Sequence, residues 1–297
     1  MWDTRKALLA ALVFTALYYS VAAERATLLD MALDAVDYLF AKCRKEAMEK
    51  IVHSGLLRQE LNLNTGFQKA WNGSAQCSKL IPGGIKEHTA ALLAYANGDF
   101  QFIKTFNKEV KMMGGNYSTY ENKFNFKALH FLLMDYMMLQ KPKNCETAYV
   151  LPENTEYKAQ KGSKVRLGRF TTAEVDFSSL QDSDDLEGKV ILNITSCYFV
   201  KLGDNICKEE MGNVLLSPAE MFTVEGVNTR KVDDGYYTEI VLKPSGLRTT
   251  PSCHLVSRDS ATMWQQQVQL SVLMSNEELR KWKWTEKLSV TFVITTD

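Results

Sequence analysis

Residues 196–218 read SCYFVKLGDNICKEEMGNVLLSP, and their pattern sets the character of the second half of the chain. Two runs in this stretch, Cys197–Leu202 and Asn213–Leu216, are short and rich in β-branched and aromatic residues, with Gly203-Asp204-Asn205 as a turn signal between them. Working outward, Lys164–Thr171, Val190–Thr195, Met221–Val227 and Tyr236–Lys243 have the same make-up. Pro152-Glu153-Asn154, Asp182-Ser183-Asp184-Asp185 and Asp233-Asp234-Gly235 punctuate them. Before Cys145 the period is different. Ala26–Leu39 places Leu28, Leu29, Ala32, Ala35, Val36 and Leu39 at helical spacing, and Lys86–Ala96 and Phe100–Met113 repeat the pattern, the latter ending at Gly114-Gly115. FNFKALHFLLMDYMML, Phe124–Leu139, predicts a central buried helix stopped by Lys141-Pro142, with His130 as a hydrogen-bonded core residue and Met134, Met137 and Met138 as filler. Helices first and strands later predict an α+β domain.

The ends speak to compartment. Arg5 and Lys6 precede an apolar run, Ala7–Tyr19, and Val21-Ala22-Ala23 offers small residues for cleavage, so residues 1–23 read as a signal peptide. The run is shorter than the roughly twenty residues a membrane-spanning helix needs. The end, Leu288–Asp297, reads as a β-strand and lacks the spacer and tail of a lipid-anchor signal. The expectation is a secreted protein without a membrane anchor, with one domain over residues 24–253 and an extension over 254–297.

Lys+Arg and Asp+Glu both number 35, so nothing points to nucleic acid as a partner. The sequons at Asn72, Asn116 and Asn193 are candidate N-glycan acceptors in a secretory protein. The 6 cysteines, Cys43, Cys77, Cys145, Cys197, Cys207 and Cys253, favour disulfides in an oxidising compartment, with the connectivity left open. No CxxC or paired-His spacing supports a metal site.

Arg166-Leu167-Gly168-Arg169-Phe170-Thr171-Thr172, the segment Phe126-Lys127-Ala128-Leu129-His130-Phe131 and the Asn213-Val214-Leu215-Leu216-Ser217-Pro218 run together resemble the vertebrate ecto-mono-ADP-ribosyltransferases, over roughly Leu28 to Cys253. The resemblance implies two packed β-sheets with NAD in the cleft between them, transfer of ADP-ribose to arginine of an extracellular protein acceptor, and NAD as co-substrate. It also implies disulfides Cys43 with Cys253 and Cys145 with Cys197, leaving Cys77 and Cys207 for a third bridge or as free thiols. The first bridge closes nearly the whole domain, a constraint on the order of 4–5 kcal/mol.

Breaking the bond from nicotinamide to ribose develops positive charge on the sugar, which a carboxylate stabilises. In the family the last Glu of Glu-x-Glu does this, and the first Glu acts on the acceptor guanidinium, which hardly ever loses its proton in water. An Arg holds the diphosphate in a charge-assisted pair, and a Ser of Ser-Thr-Ser orients the substrate. Carried over by position, Met211-Gly212-Asn213 stands at Glu-x-Glu, Val150 at the diphosphate Arg, and Thr172-Ala173-Glu174 at Ser-Thr-Ser. Only the hydroxyl of Thr172 persists.

The expected outcome is a family member whose activity is weak or lost, since one preorganised electrostatic group is commonly worth about 3–4 kcal/mol. The alternative is an extracellular binding protein that uses the remnant cleft or the aromatic tail. Glu174, or Glu209-Glu210 through a bulge, offers a replacement carboxylate, and Arg166 or Arg169 a replacement diphosphate clamp. The favoured reading of Glu209-Glu210 is a solvated acidic loop.

Overall fold

The computed structural model describes residues 26–74, 79–140, 144–152, 156–183, 185–205, 213–232, 235–248 and 250–253. The expected signal peptide, the extension beyond 253, Cys77, Cys207, Glu209, Glu210 and Met211 lie outside these residues.

The helical half comprises α1 (Arg44–Met48), which runs on as a π-helical turn (Glu49–His53), then α2 (Leu56–Leu63), α3 (Thr65–Gly73), α4 (Lys86–Ala96), α5 (Phe100–Met112), α6 (Tyr117–Lys123) and α7 (Lys127–Leu139). Three of these begin on side-chain caps. Asn64, Asp99 and Asn116 each accept from a backbone N–H three residues on, at 2.8, 2.9 and 2.8 Å, satisfying donors a helix start leaves free. The central helix α7 is apolar nearly all round and buried, as its sequence predicts. It is capped from outside its own segment: Glu60 of α2 accepts from the N–H groups of Lys127 and Ala128 at 2.8 and 2.9 Å. His130 lies within it and bonds the carbonyl of Val36 through Nε2 at 2.9 Å. Burial lowers its pKa to about 4, so it is a neutral core imidazole.

The strands are β1 (Ala26–Leu28), β2 (Tyr38–Leu39), β3 (Glu146–Val150), β4 (Glu156–Lys158), β5 (Lys164–Arg166), β6 (Thr171–Glu174), β7 (Val190–Ser196), β8 (Phe199–Lys201), β9 (Asn213–Leu216), β10 (Glu220–Val232), β11 (Gly235–Leu247) and β12 (Thr250–Pro251), with short helices α8 (Phe177–Ser183) and α9 (Leu202–Asn205). Eight of them form one hydrogen-bonded order, β5-β10-β11-β7-β3-β6-β9-β8. That order has a seam. Strands β3 and β6 meet through a single residue pair, Tyr149 with Glu174, whereas β3 and β7 share five. Ala148, Val150, Leu192, Ile194, Ile240 and Leu242 from one side of the seam pack in the same core as Ala173, Val214, Leu216 and Phe199 from the other. The two limbs are thus two β-layers folded onto a shared interior, with the helices covering the second layer through Leu215 and Phe170.

One expected element is corrected. Ala26–Leu39 is not a helix: β1 pairs with β4, Ala32 has φ +41°, and the segment ends in β2. Leu29, Ala35 and Val36 are buried, at 6% exposure or less, whereas Leu28 is 63% exposed. The backbone groups, however, bond to distant partners. Arg166 donates to the carbonyls of Met31 and Ala32 at 2.7 and 2.6 Å, Gly114 N–H to Asp34 O at 2.7 Å, and Val36 N–H to Val110 O at 2.7 Å. Satisfied in this way, they have no need of a helical ladder. A second correction concerns Lys164–Thr171, which is two strands broken at Gly168. Its φ is +65°, and a Cβ there would lie 2.5 Å from that of Ala32. Helices α1 to α3 and α6 are not among the elements read from the sequence, although α2 and α3 are amphipathic and bury Leu57, and Phe67 and Ala70, respectively.

Disulfides join Cys43 to Cys253 and Cys145 to Cys197, with Cα separations of 5.7 and 4.1 Å. The second lies beside a buried carboxylate, Glu220, which accepts from the N–H of Cys197 at 2.7 Å and from the hydroxyl of Ser196.

Candidate active site

The seam gathers the positions singled out in the sequence. In the β6–β9 ladder Ala173 lies opposite Val214 and both are buried in the inter-layer core. The alternate residues emerge on the other face. Thr172, opposite Leu215, is exposed, while Glu174 and Asn213, opposite one another, are half-buried. Glu174 also pairs with Tyr149 across the seam, so it stands between β3 and β9.

The strand carrying this face is fixed from the helical side. Phe170 stacks on Phe106 with centroids 5.5 Å apart, and the hydroxyl of Tyr95 donates to the carbonyl of Phe170 at 3.1 Å while accepting from Asn107 Nδ2 at 3.1 Å. The Thr172 side chain also hydrogen-bonds Tyr95, whose hydroxyl is pushed up in pKa by burial and stays neutral. Thr172 is therefore an oriented hydroxyl. Tyr95 was invisible to sequence reasoning because it sits in an ordinary apolar helix and carries no motif.

Val150 lies at the end of β3, 6% exposed, with its side chain in the inter-layer core rather than on the face of Glu174 and Asn213. Its neighbour Tyr149 packs against Phe177 of α8, with ring centroids 5.0 Å apart. Arg166 is fully committed: it is buried, and besides the two carbonyls it donates through Nη1 to Asp37 at 2.7 Å. Arg169 is half-buried, lies near enough to Tyr95 to act on its hydroxyl electrostatically, and has no ion pair among the described residues. Met211 lies outside the described residues.

Of the sequon asparagines, Asn72 is exposed on α3 and Asn116 caps α6 through Oδ1. Asn193 in β7 donates Nδ2 to Glu239 at 2.9 Å, inside a polar cavity of about 470 Å³ also lined by Asn228 and Arg230. Among the described residues no cluster of three or more His, Cys, Asp or Glu is placed to hold a metal ion, and no helix is long and apolar enough to cross a membrane.

Residues 29–247 match the family model for NAD:arginine ADP-ribosyltransferase. The chain is 30% identical over 250 residues to the GPI-linked NAD(P)(+)--arginine ADP-ribosyltransferase 1 of Mus musculus, covering 77% of this chain and 74% of that one. It is 27% identical over 220 residues to ecto-ADP-ribosyltransferase 3 of Mus musculus, covering 69% of this chain and 57% of that protein's length. Its fold is similar to the crystal structure of the eucaryotic mono-ADP-ribosyltransferase ART2.2, with a TM-score of 0.59 at 23% identity over 75% of this chain and 96% of that one. A mutant of ART2.2 solved in complex with NAD gives the same TM-score at 24% identity. With a family model matching residues 29–247 across both layers and a relative 30% identical over 77% of the chain, the chain belongs to the NAD:arginine ADP-ribosyltransferase family.

Proposed function

We propose that this chain is a secreted, glycosylated member of the family in which transfer of ADP-ribose from NAD to an arginine of an extracellular protein is strongly weakened. The face at Glu174 and Asn213 is the NAD-facing surface in this reading, and Thr172 orients the substrate through its bond to Tyr95. The observation that carries the proposal is the neutral amide of Asn213 on β9, beside Glu174, at the position that the resemblance aligns with the family's carboxylate. An amide can hydrogen-bond a ribose hydroxyl, but it brings no negative charge to a developing oxocarbenium ion. Losing such a preorganised charge costs about a hundred- to a thousand-fold in rate. Val150 adds to the deficit, because an apolar side chain in the inter-layer core supplies no contact to a diphosphate.

Calorimetry with NAD and turnover of etheno-NAD on a guanidino acceptor test the reading. Weak NAD binding is expected, with slow turnover that rises in Asn213→Glu. Wild-type turnover equal to that of Asn213→Glu would overturn the proposed weakening. Tight NAD binding with no turnover in either protein would favour a binding function for the cleft.

A further inference from the structure

The buried acidic side chains of this fold have partners. Glu60 takes two backbone N–H groups, Glu220 takes Ser196 and Cys197, Glu239 takes Arg230 and Asn193, and Asp37 takes Arg166 and Arg248. Glu174, like Arg169, departs from this. It is half-buried, and among the described residues no hydrogen bond or ion pair engages its carboxylate. It stands directly opposite Asn213, on the same face, with Thr172 two residues before it along β6. Directly opposed residues in an antiparallel pair have Cβ atoms about 4.5–5.5 Å apart. A glutamate at 174 therefore brings its carboxylate into the space that a glutamate at 213 would occupy.

We propose that Glu174 is a displaced carboxylate that carries the residual turnover of this weakened protein, facing the nicotinamide ribose from β6 instead of from β9. The inference rests on the reading that NAD lies over the face shared by Glu174 and Asn213. In the step it serves, the bond from the anomeric carbon to the nicotinamide nitrogen breaks and its electron pair leaves with neutral nicotinamide. The positive charge left on the ribose is opposed by the Glu174 carboxylate. Water then attacks the anomeric carbon and releases a proton to solvent, or a guanidino nitrogen attacks and sheds its own proton. In hydrolysis NAD and water give ADP-ribose, nicotinamide and a proton. Asn213 keeps a hydrogen-bonding role toward a ribose hydroxyl.

The test uses the secreted full-length protein, with etheno-NAD hydrolysis and NAD calorimetry on wild type, Glu174→Gln, Asn213→Glu and the double variant. Gln keeps the size of Glu at a strand position whose carboxylate makes no hydrogen bond or ion pair among the described residues, so secretion and NAD affinity should stay within about threefold. The expected result is a fall in kcat of about a hundred- to a thousand-fold in Glu174→Gln with KM little changed, and recovery in the double variant, where the charge returns on β9. Activity in Glu174→Gln within threefold of wild type refutes the role of Glu174 while leaving the family site at Asn213 intact. Wild-type protein that binds NAD yet shows no turnover above the uncatalysed background refutes it as well. Failure of every variant to bind NAD overturns the placement of the dinucleotide itself, and the inference with it.

Discussion

Replacing Arg166 by Leu should be the most damaging single change outside the hydrophobic core. Arg166 is among the largest fully buried side chains, and its guanidinium makes three bonds of 2.6–2.7 Å, to Asp37 and to the carbonyls of Met31 and Ala32. Its removal leaves Asp37, 3% exposed, with Arg248 at 3.4 Å and Thr250 as its remaining partners. Breaking a buried pair by deleting one member typically costs about 3–5 kcal/mol. The orphaned carbonyls add to this, while the half-exposed Arg248 can move in and offset part of it, so about 3–5 kcal/mol is the expected net. For a domain of this size that corresponds to a fall in Tm on the order of 6–20 °C. Guanidinium unfolding followed by tryptophan fluorescence, with disulfides intact, measures the loss. Asp37→Leu alone should cost a similar amount, and the double variant should cost clearly less than the sum, because the two groups satisfy each other. A loss below about 1 kcal/mol for Arg166→Leu, or strict additivity, would refute the claim that this buried pair holds the segment 30–37 in its non-helical path.

Burial pushes the pKa of Glu60 up to about 7 despite its two backbone bonds. The folded state then binds the proton more tightly than the unfolded one, so this stabilisation is complete below about pH 4.5 and is lost as pH rises through about 7. The slope is at most about 1.4 kcal/mol per pH unit, and denaturation midpoints measured across that window should lose this slope in Glu60→Gln. Val150→Arg, although it restores a charge at the family position, buries that charge among apolar side chains. It should lower the unfolding free energy by a few kcal/mol, and an equally stable variant with tighter NAD binding would show that the side chain reaches the cleft. Asn116 caps α6 with the oxygen of the same amide whose nitrogen would carry a glycan. Ser118→Ala should remove glycan mass without loss of the cap, whereas Asn116→Ala should also cost about 1 kcal/mol, as mass spectrometry and thermal melts of the two proteins will show.

Several elements were legible before any coordinates because local pattern and tertiary need agree in them. Lys86–Ala96 and Asn213–Leu216 fall on the residues where the periodicity puts them, and the central helix begins only three residues later than its apolar run. Disagreement appears where side chains from far along the chain compete for the backbone. Leu29, Ala35 and Val36 keep their places in the core, yet Arg166, more than a hundred residues away, draws the carbonyls into another path. The end of the strand expected at Cys197 is likewise given up to Glu220.

The sequence by itself determined the class of fold, because hydrophobic period and turn residues are local properties, and it determined which chemical groups stand at the motif positions, because those are matters of residue type. Which of those groups face one another was decided only by the tertiary structure. Register across β6 and β9 sets Glu174 beside Asn213, the shared inter-layer core absorbs Val150, and burial against Asp37 removes Arg166 from any ligand role. Strand register and burial arise from contacts between segments distant in the chain, and no local pattern encodes them.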